Sequence, residues 1–254
     1  MRYSSLVLST ILAASALETQ ANAQLLGTAG NFAVLAGSAV TNTGLSVFDA
    51  SVGVWPGRAI TGFPPGVLSG GTLQNGSAAA QQAQTDLTAA YNALTLMPVT
   101  QVLTGVDLGG LTLTPGVYFF ASSAQLTGTL TLNAQGDPNA MFVFQIGSTL
   151  TTASAASVLT INGFGGFGAC NVFWQIGSSA TLGTDTNFEG NILAMTSITL
   201  TTGAEIINGR ALARNGAVTL DTNSITSVCI PSPGALALFL MLLGPALGFR
   251  RRLA

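Results

Sequence analysis

Thr199-Leu200-Thr201-Thr202 is one copy of a threonine-rich segment that occurs four times in the second half of the chain. The other copies are Thr149-Leu150-Thr151-Thr152, Thr181-Leu182-Gly183-Thr184 and Thr219-Leu220-Asp221-Thr222, and the last three copies are 18 and 20 residues apart. A repeat of about 20 residues is typical of the stacked coils of a β-solenoid. Successive coils bring equivalent residues together, with about 4.8 Å between rungs. The pattern therefore predicts a mainly β fold that carries an extended, regular binding surface.

Composition and charge exclude several classes of function. Only 6% of the 254 residues are charged, and the chain contains neither lysine nor histidine. Between residues 24 and 230 the cations are Arg58, Arg210 and Arg214, against eight carboxylates, so the net charge of this part is near −5. This part of the chain therefore lacks the positively charged surface that binding to a nucleic acid requires. The absence of histidine excludes Ser-His-Asp, Cys-His and histidine–metal sites.

Paired carboxylates are the remaining catalytic alternative, because some β-solenoid proteins cleave polysaccharides. Asp185 could pair with Glu189 or Glu205. Clefts of that kind also carry Lys, Arg and aromatic platforms, in which this chain is poor. We therefore expect no enzyme activity, no cofactor and no metal site.

The N-terminus has the pattern of a secretory signal peptide. Arg2 precedes an apolar run from Leu6 to Leu17, and Ala21-Asn22-Ala23 forms an A-x-A cleavage site. We expect residues 1–23 to be removed and the mature domain to occupy residues 24–228.

Residues 229–254 have the pattern of a sorting or anchoring segment. Pro231-Ser232-Pro233-Gly234 is followed by an apolar stretch from Ala235 to Phe249 and by Arg250-Arg251-Arg252. The stretch is short for a membrane-spanning helix, and the arginines would stay on the cytoplasmic side. The order of these parts resembles the PEP-CTERM sorting signal of Gram-negative bacteria, with Ser232 where that family usually has Glu. A sorting protease and a plain membrane tail are the two alternatives, and either one predicts an exported protein held at the cell envelope.

The two cysteines, Cys170 and Cys229, lie far apart in the sequence. Export to an oxidising compartment permits a disulfide between them, and two separate thiols are equally compatible with the sequence. Two cysteines without histidine make a poor zinc site.

One segment breaks the β pattern and predicts a helix over residues 77–96. Its apolar stripe has helical spacing and consists of Ala79, Ala83, Leu87, Tyr91 and Leu94. Asn75 or Ser77 would cap the N-terminus, and Pro98 ends the pattern. A helix with one apolar stripe should pack against a flat apolar surface of the β fold.

Two further internal repeats support stacked coils. Phe144-Gln145-Ile146-Gly147-Ser148 matches Trp174-Gln175-Ile176-Gly177-Ser178 at an offset of 30 residues. Residues 188–194 match residues 207–213 at an offset of 19. Inward aliphatic and aromatic side chains would fill the core between neighbouring coils.

Several long segments resemble the secreted ice-binding (antifreeze) protein family of bacteria, fungi and algae. They are Leu26-Gly27-Thr28-Ala29-Gly30-Asn31-Phe32-Ala33-Val34-Leu35-Ala36-Gly37, Ile60-Thr61-Gly62-Phe63-Pro64-Pro65-Gly66, Asp107-Leu108-Gly109-Gly110-Leu111-Thr112-Leu113-Thr114-Pro115-Gly116-Val117-Tyr118, Cys170-Asn171-Val172-Phe173-Trp174-Gln175-Ile176-Gly177-Ser178 and the residues from Asn208 to Leu220. The resemblance implies a right-handed, discontinuous β-solenoid of triangular section with one α-helix alongside. It also implies a monomer whose partner is an ice crystal surface.

The resemblance further implies an ice-binding face built from T-A/G-x-T/N rungs. The first and third positions of the matching rungs are expected to point outward, and they are Thr152, Ser154, Thr184, Thr186, Thr202, Ala204, Thr222 and Ser224. Asp185 and Glu205 interrupt this pattern with charge. Threonine ladders also occur in strands for structural reasons. The alternative function is a cell-surface or matrix adhesion protein, tethered by its C-terminal segment, that binds polysaccharide or other cells.

Overall fold

A computed structural model of the chain describes residues 25–137, 139–163 and 171–227. The predicted signal peptide 1–23, the C-terminal segment 229–254 and both cysteines, Cys170 and Cys229, lie outside the described residues. No helix in the described ranges is long and apolar enough to cross a membrane.

Within those ranges the strands form one sheet of seven and one sheet of fifteen, and all paired strands are parallel. The seven-stranded sheet, called here the threonine sheet, contains β2 (Ala39–Thr43), β5 (Ala59–Thr61), β11 (Ala124–Leu126), β14 (Leu150–Thr152), β17 (Ala180–Leu182), β19 (Ile198–Leu200) and β21 (Val218–Asp221).

The fifteen-stranded sheet contains two rows of strands. The first, called the helix row, contains β1 (Phe32–Ala36), β4 (Ser51–Val54), β7 (Leu73–Asn75), β8 (Gln101–Val102), β10 (Gly116–Phe120), β13 (Phe142–Ile146) and β16 (Val172–Ile176). The second, called the mixed row, contains β3 (Val47–Phe48), β6 (Val67–Leu68), β9 (Thr112–Leu113), β12 (Thr129–Asn133), β15 (Ser157–Ile161) and β22 (Ser224–Ile225). Two long strands, β18 (Asn187–Ala194) and β20 (Glu205–Ala213), begin in the mixed row and end in the helix row. These parallel sheets fit a β-solenoid-like fold.

The stacking order of the strands departs from their order in the chain. The N-terminal strands β1, β2 and β3 pair with β20, β21 and β22, which come from the last turns of the chain. We call this boundary the seam. Polar contacts reinforce it, because the backbone N–H and the hydroxyl of Ser227 both donate to the carboxylate of Asp49, and Arg210 donates to the backbone oxygen atoms of Gly30 and Ser227.

Aromatic side chains stack in register inside the fold. Backbone pairing places Phe144 beside Tyr118 on one side and beside Trp174 on the other. The Phe144 and Trp174 rings are 3.8 Å apart with an interplanar angle of 7°, and Phe188 packs 4.8 Å from Trp174. Such ring pairs contribute about 0.5–1.5 kcal/mol beyond their buried area. The predicted repeat at an offset of 30 residues is thus confirmed as a register between adjacent coils.

The predicted helix is confirmed as α1 (Ala78–Thr95), with Ser77 as its N-cap. The hydroxyl of Ser77 accepts a hydrogen bond from the backbone N–H of Ala80 at 3.1 Å, which satisfies one of the free donors of the first turn. Ala79 is exposed, so its place in the predicted apolar stripe was wrong, and Ala80 is buried instead. A short 3-10 helix, Gly27–Asn31, precedes β1.

Helix α1 covers the outer surface of the helix row. Its buried side chains pack against outward-pointing residues of the row, which are Leu35, Val143, Phe173, Leu193 and Leu212. Three side chains also fix its position: Gln84 donates to the Ala213 oxygen, Tyr91 to the Ile176 oxygen and Gln145 to the Leu94 oxygen. The helix is about 27 Å long, so it carries the chain from β7 at one end of the row towards β8 at the other. The predicted packing of the helix on a flat apolar surface is therefore confirmed.

Leu87→Ala should lower the free energy of unfolding by roughly 2–5 kcal/mol, because it opens a cavity between α1 and the helix row. Leu87 is 0% exposed, whereas Leu96 at the end of the same helix is 83% exposed. Leu96→Ala is therefore the matched control and should change stability by less than about 0.5 kcal/mol. Denaturant unfolding of both variants tests this, and equal effects would mean that α1 is not held by its buried stripe.

Candidate functional site

One column of threonines runs across the threonine sheet. Backbone register pairs each member with the next, in the order Thr151, Thr181, Thr199, Thr219, Thr41 and Thr61. Gln125 extends the column at one end. These six threonines, called here the threonine ladder, are exposed or half-buried, and in the five strands before the edge strand β5 the residues on both sides of each are buried. The alternation shows that the ladder side chains point away from the core.

Two further columns flank the ladder and are also built mainly from small residues. The positions two residues before the ladder are Ser123, Thr149, Ser179, Ser197, Ala217, Ala39 and Ala59, and those two residues after it include Thr127, Ala153, Gly183, Thr201, Asp221 and Thr43. Backbone hydrogen bonds link neighbours in both columns, and Thr43 pairs with Asp221. Neighbouring strands lie about 4.8 Å apart, and residues two apart along a strand, which form neighbouring columns, lie about 6.7 Å apart. The result is a two-dimensional array of hydroxyl and methyl groups.

This array is suited to contact with an extended surface. Within its seven strands, Asp221 is the only charged residue, and none of the strands contains an aromatic residue. Threonine hydroxyls donate and accept hydrogen bonds, whereas their methyl groups are apolar. A regular array of both groups, without bulky side chains, can match a flat periodic partner but cannot enclose a small molecule.

The predicted site residues fall into two groups. Ser154, Thr184, Thr202 and Thr222 are exposed and lie at the corner where the chain passes from the threonine sheet to the mixed row, and Ser224 is half-buried in β22. Thr152, Thr186 and Ala204 are buried, with exposed fractions of 4%, 0% and 0%. The expectation that these three residues point outward was therefore wrong.

Backbone conformation explains the error. The chain turns at this corner through residues with positive φ, namely Ala155 (54°), Asp185 (55°), Gly203 (73°) and Thr222 (55°). A residue in the left-handed region ends the simple alternation of a strand. The predicted rungs thus follow the corner instead of lying on a flat strand.

The buried threonines at the corner satisfy polar groups of the turn. The hydroxyls of Thr152 and Thr186 are 2.8 Å apart. The Thr152 hydroxyl also accepts from the backbone N–H of Gly183, and the Thr186 hydroxyl donates to the Ala153 oxygen. Because buried backbone groups need partners, these side chains are structural. A Thr186→Tyr change, which the sequence suggests as a test of the binding face, would instead disrupt the core.

Asp185 and Glu205 do not lie on the threonine sheet. Asp185 is exposed in the corner turn, and Glu205 pairs with Asn187 and Ser224 in the mixed row. The charge within the strands of the sheet is Asp221, at the end of β21, and exposed Asp107 bridges Gln125 at the edge of the sheet. A hydrogen bond from the Thr202 hydroxyl, helped by those from Thr222 and Thr43, lowers the pKa of Asp221, so Asp221 is ionised at neutral pH.

Glu189, the third carboxylate of the catalytic alternative, lies in the mixed-row part of β18. Glu189 accepts a hydrogen bond from the backbone N–H of Thr160, and burial raises the pKa of Glu189. In the part of the chain that the structure describes, no three His, Cys, Asp or Glu side chains are grouped so that they could hold a metal ion.

Sequence reasoning missed the register of the ladder. Thr151, and not Thr149, stands beside Thr181, so the first copy of the repeated segment is displaced by two residues relative to the others. Thr41 and Thr61 were missed as ladder members because they lie far from the other four in the chain. The similar alternation of Ala39-Val40-Thr41 and Ala59-Ile60-Thr61 was the signal that could have revealed them.

Thr152→Val should cost about 1–3 kcal/mol of stability, because it leaves the Gly183 N–H and the Thr186 hydroxyl without their buried partner. In a cycle with Thr186→Val, the double variant should lose less than the sum of the single losses. Thr184→Val, at an exposed position in the same corner, is the control and should change stability by less than about 0.5 kcal/mol. Additive losses in thermal or denaturant unfolding would contradict the paired role of Thr152 and Thr186.

Comparison with known proteins places this chain in a family. A family model described as Ice-binding-like matches residues 34–226. An ice-binding protein of Nostoc sp. (strain HG1) is 59% identical over 230 residues, which are 89% of this chain and 84% of that protein. Two crystal structures are also similar. An ice-binding protein from an Antarctic biological consortium is 48% identical, with a TM-score of 0.74 over 79% of this chain and 89% of that one. An ice-binding protein from the Antarctic ascomycete Antarctomyces psychrotrophicus is 40% identical, with a TM-score of 0.75 over 80% and 97%. None of these names supports the adhesion alternative, and the chain belongs to the ice-binding-like family.

Proposed function

We propose that this chain binds ice and that the threonine sheet is the surface in contact with the crystal. The observation that carries the proposal is the threonine ladder, in which six threonines stand in register on an exposed face. The names of the relatives support ice as the ligand. A single chain supplies the whole ladder, so a monomer is sufficient, and binding needs neither a cofactor nor a catalytic group.

The chemistry of the array accounts for how it would hold ice. Hydroxyls spaced about 4.8 Å by 6.7 Å can each hydrogen-bond a water molecule of the first layer. The methyl groups between them restrict where those waters can lie. Water held in this regular pattern can join the crystal lattice, and a bound protein then blocks growth of the ice beneath it.

The other two rows of strands fit this role less well. Helix α1 covers the helix row. The mixed row exposes Leu159 and Ile207 and carries Glu189 and Glu205 among its small residues. Branched apolar side chains make that surface uneven, and carboxylates hold their own hydration water.

We also infer that the three rows close into a right-handed β-solenoid of triangular section. The support is the order in which the chain visits the rows. Each complete turn supplies one strand to the helix row, then one to the threonine sheet, then one to the mixed row, as in β1-β2-β3, β4-β5-β6 and β13-β14-β15.

Thr199→Tyr should abolish most of the thermal hysteresis and the inhibition of ice recrystallisation while leaving the fold intact. Thr199 is central in the ladder and points outward, so a large ring there separates the array from a flat crystal. Thr129→Tyr is the matched control, because Thr129 is exposed in the mixed row and its replacement should leave activity unchanged. Thermal unfolding shows whether both variants are folded. Full activity in a folded Thr199→Tyr protein would falsify the assignment of the threonine sheet.

We further propose that the protein is exported and held at the cell envelope by residues 229–254. The hydrophobic stretch and the terminal arginines of that segment support this. Ser227, two residues before this segment, is bonded to Asp49, which follows β3 of the mixed row and precedes β4 of the helix row. Ser227 thus lies at the corner between the mixed row and the helix row, which the threonine sheet does not touch, so we expect an anchored molecule to present this sheet to its surroundings.

Fractionation of cells that express the full chain, and of cells that express a chain stopped after Ser227, tests this anchor. We expect the full chain in the membrane fraction and the shortened chain in the soluble exported fraction. The anchor is ruled out if both forms reach the medium equally and the full chain never passes through the membrane fraction. A full chain that enters the membrane fraction and later loses its C-terminus would point to a sorting protease.

A further inference from the structure

Asp221 is the one charged residue within the seven strands of the threonine sheet, and Asp107 lies beside Gln125 at the edge of that sheet. Asp221 ends β21 and pairs with Thr43 across the seam. An ionised carboxylate normally binds several water molecules in a shell of its own. Such a shell would compete with the regular water layer that the threonine sheet needs, so the occupation of the Asp221 oxygen atoms bears directly on how the sheet works.

Two threonine hydroxyls at the corner donate hydrogen bonds to these oxygen atoms. The Thr202 hydroxyl donates to one carboxylate oxygen of Asp221 at 2.5 Å, and the Thr222 hydroxyl donates to the other at 3.2 Å. Hydrogen bonds to an ionised acceptor are stronger than those between neutral groups. Each one replaces a water molecule that the carboxylate would otherwise hold.

The backbone at Thr222 is a second, independent observation. Thr222 has a φ of 55°, and the equivalent residues on the two neighbouring coils are Gly203 and Gly44. A β-branched residue is disfavoured in the left-handed region, although Ala155 and Asp185 at the same corner also have positive φ. The contact between the Thr222 hydroxyl and Asp221 is a reason for a threonine at this position.

We propose that Thr202 and Thr222 are positioning residues that act through Asp221, by occupying its carboxylate so that the charge does not disturb the water layer on the threonine sheet. This inference rests on the proposed ice-binding function. It differs from the expectation that Thr202 and Thr222 contact ice directly, because their effect on activity should then depend on the charge at position 221.

A double-mutant cycle separates the two roles. Thermal hysteresis is measured at equal concentration for the natural protein, T202V, D221N and the double variant D221N/T202V. We expect T202V to lose most of its activity, because the carboxylate is then free to hold its own water. D221N should keep or exceed the natural activity, and adding T202V to D221N should cause no further loss.

T184V is the matched control for the cycle. Thr184 is the equivalent of Thr202 one coil away, and its hydroxyl lies 3.4 Å from that of Thr201 and not at Asp221. The T184V variant should therefore lose less thermal hysteresis than T202V. The inference is overturned if T202V causes the same loss with and without Asp221, if T202V causes no loss, or if D221N alone removes activity. Thr199→Tyr measured alongside tests the proposed function separately, because only that function fails if Thr199→Tyr stays fully active.

The pH dependence of activity distinguishes this role of Thr202 from a purely structural one, because a structural role would not change that dependence. The hydrogen bond from Thr202 is the largest cause that lowers the pKa of Asp221, so the natural protein should keep its activity as the pH falls from 7 to about 4. Without Thr202, the pKa of Asp221 rises towards its ordinary value. T202V should therefore regain activity on acidification, as the carboxylate takes up a proton.

D221N/T202V should show no such recovery. Asp185, whose carboxylate lies beside Gly203 on the adjacent coil, is present in both variants, as are Glu205 and the neighbouring Thr43, so their contributions cancel in the comparison. Recovery of D221N/T202V to the same extent as T202V would overturn the inference.

Discussion

Parallel backbone pairing between successive turns of the chain is the constraint on which the rest of this structure depends. It places each residue beside its counterpart in the next turn, as with Phe144 and Trp174 inside the fold and Thr181 and Thr199 outside it. The same register thus builds an aromatic stack in the core and a threonine ladder on the surface. Because side chains alternate between the two sides of a strand, the core residues determine which of their neighbours point outward.

Stacked turns leave open strand edges and require the chain to cross from one end of the stack to the other. The seam meets the first requirement and helix α1 meets the second. The last turns of the chain would leave open strand edges, and the N-terminal strands β1, β2 and β3 cover them. The chain must then travel to the far end of the stack, and α1 does this while burying the outer surface of the helix row. Coverage by α1 removes one surface from contact with solvent. The threonine sheet remains as the exposed surface with the most uniform chemistry.

The corner beside the threonine sheet shows how similar residues serve different purposes. Thr152 and Thr186 turn inward, where their hydroxyls satisfy buried backbone groups. Thr202 and Thr222 turn outward and bond to the carboxylate of Asp221. Ladder threonines such as Thr199 have their hydroxyls on the flat part of the sheet. A threonine-rich composition therefore combines structural, charge-shielding and surface roles, and burial separates the structural threonines from the other two groups.

The sequence by itself determined the mainly β fold, the helix and the family, because these depend on local periodicity and on long matching segments, and it left Asn75 and Ser77 as alternative caps of that helix. It could not determine which threonines form the ladder. Thr41 and Thr219 are neighbours only because N-terminal and C-terminal strands meet at the seam, and Thr151 replaces Thr149 beside Thr181 because the coils pair in one register. The burial of Thr152, Thr186 and Ala204 follows from left-handed residues at the corner. Tertiary structure decided these points, since a change of one residue in register, or one residue with positive φ, reverses which side chains face the core.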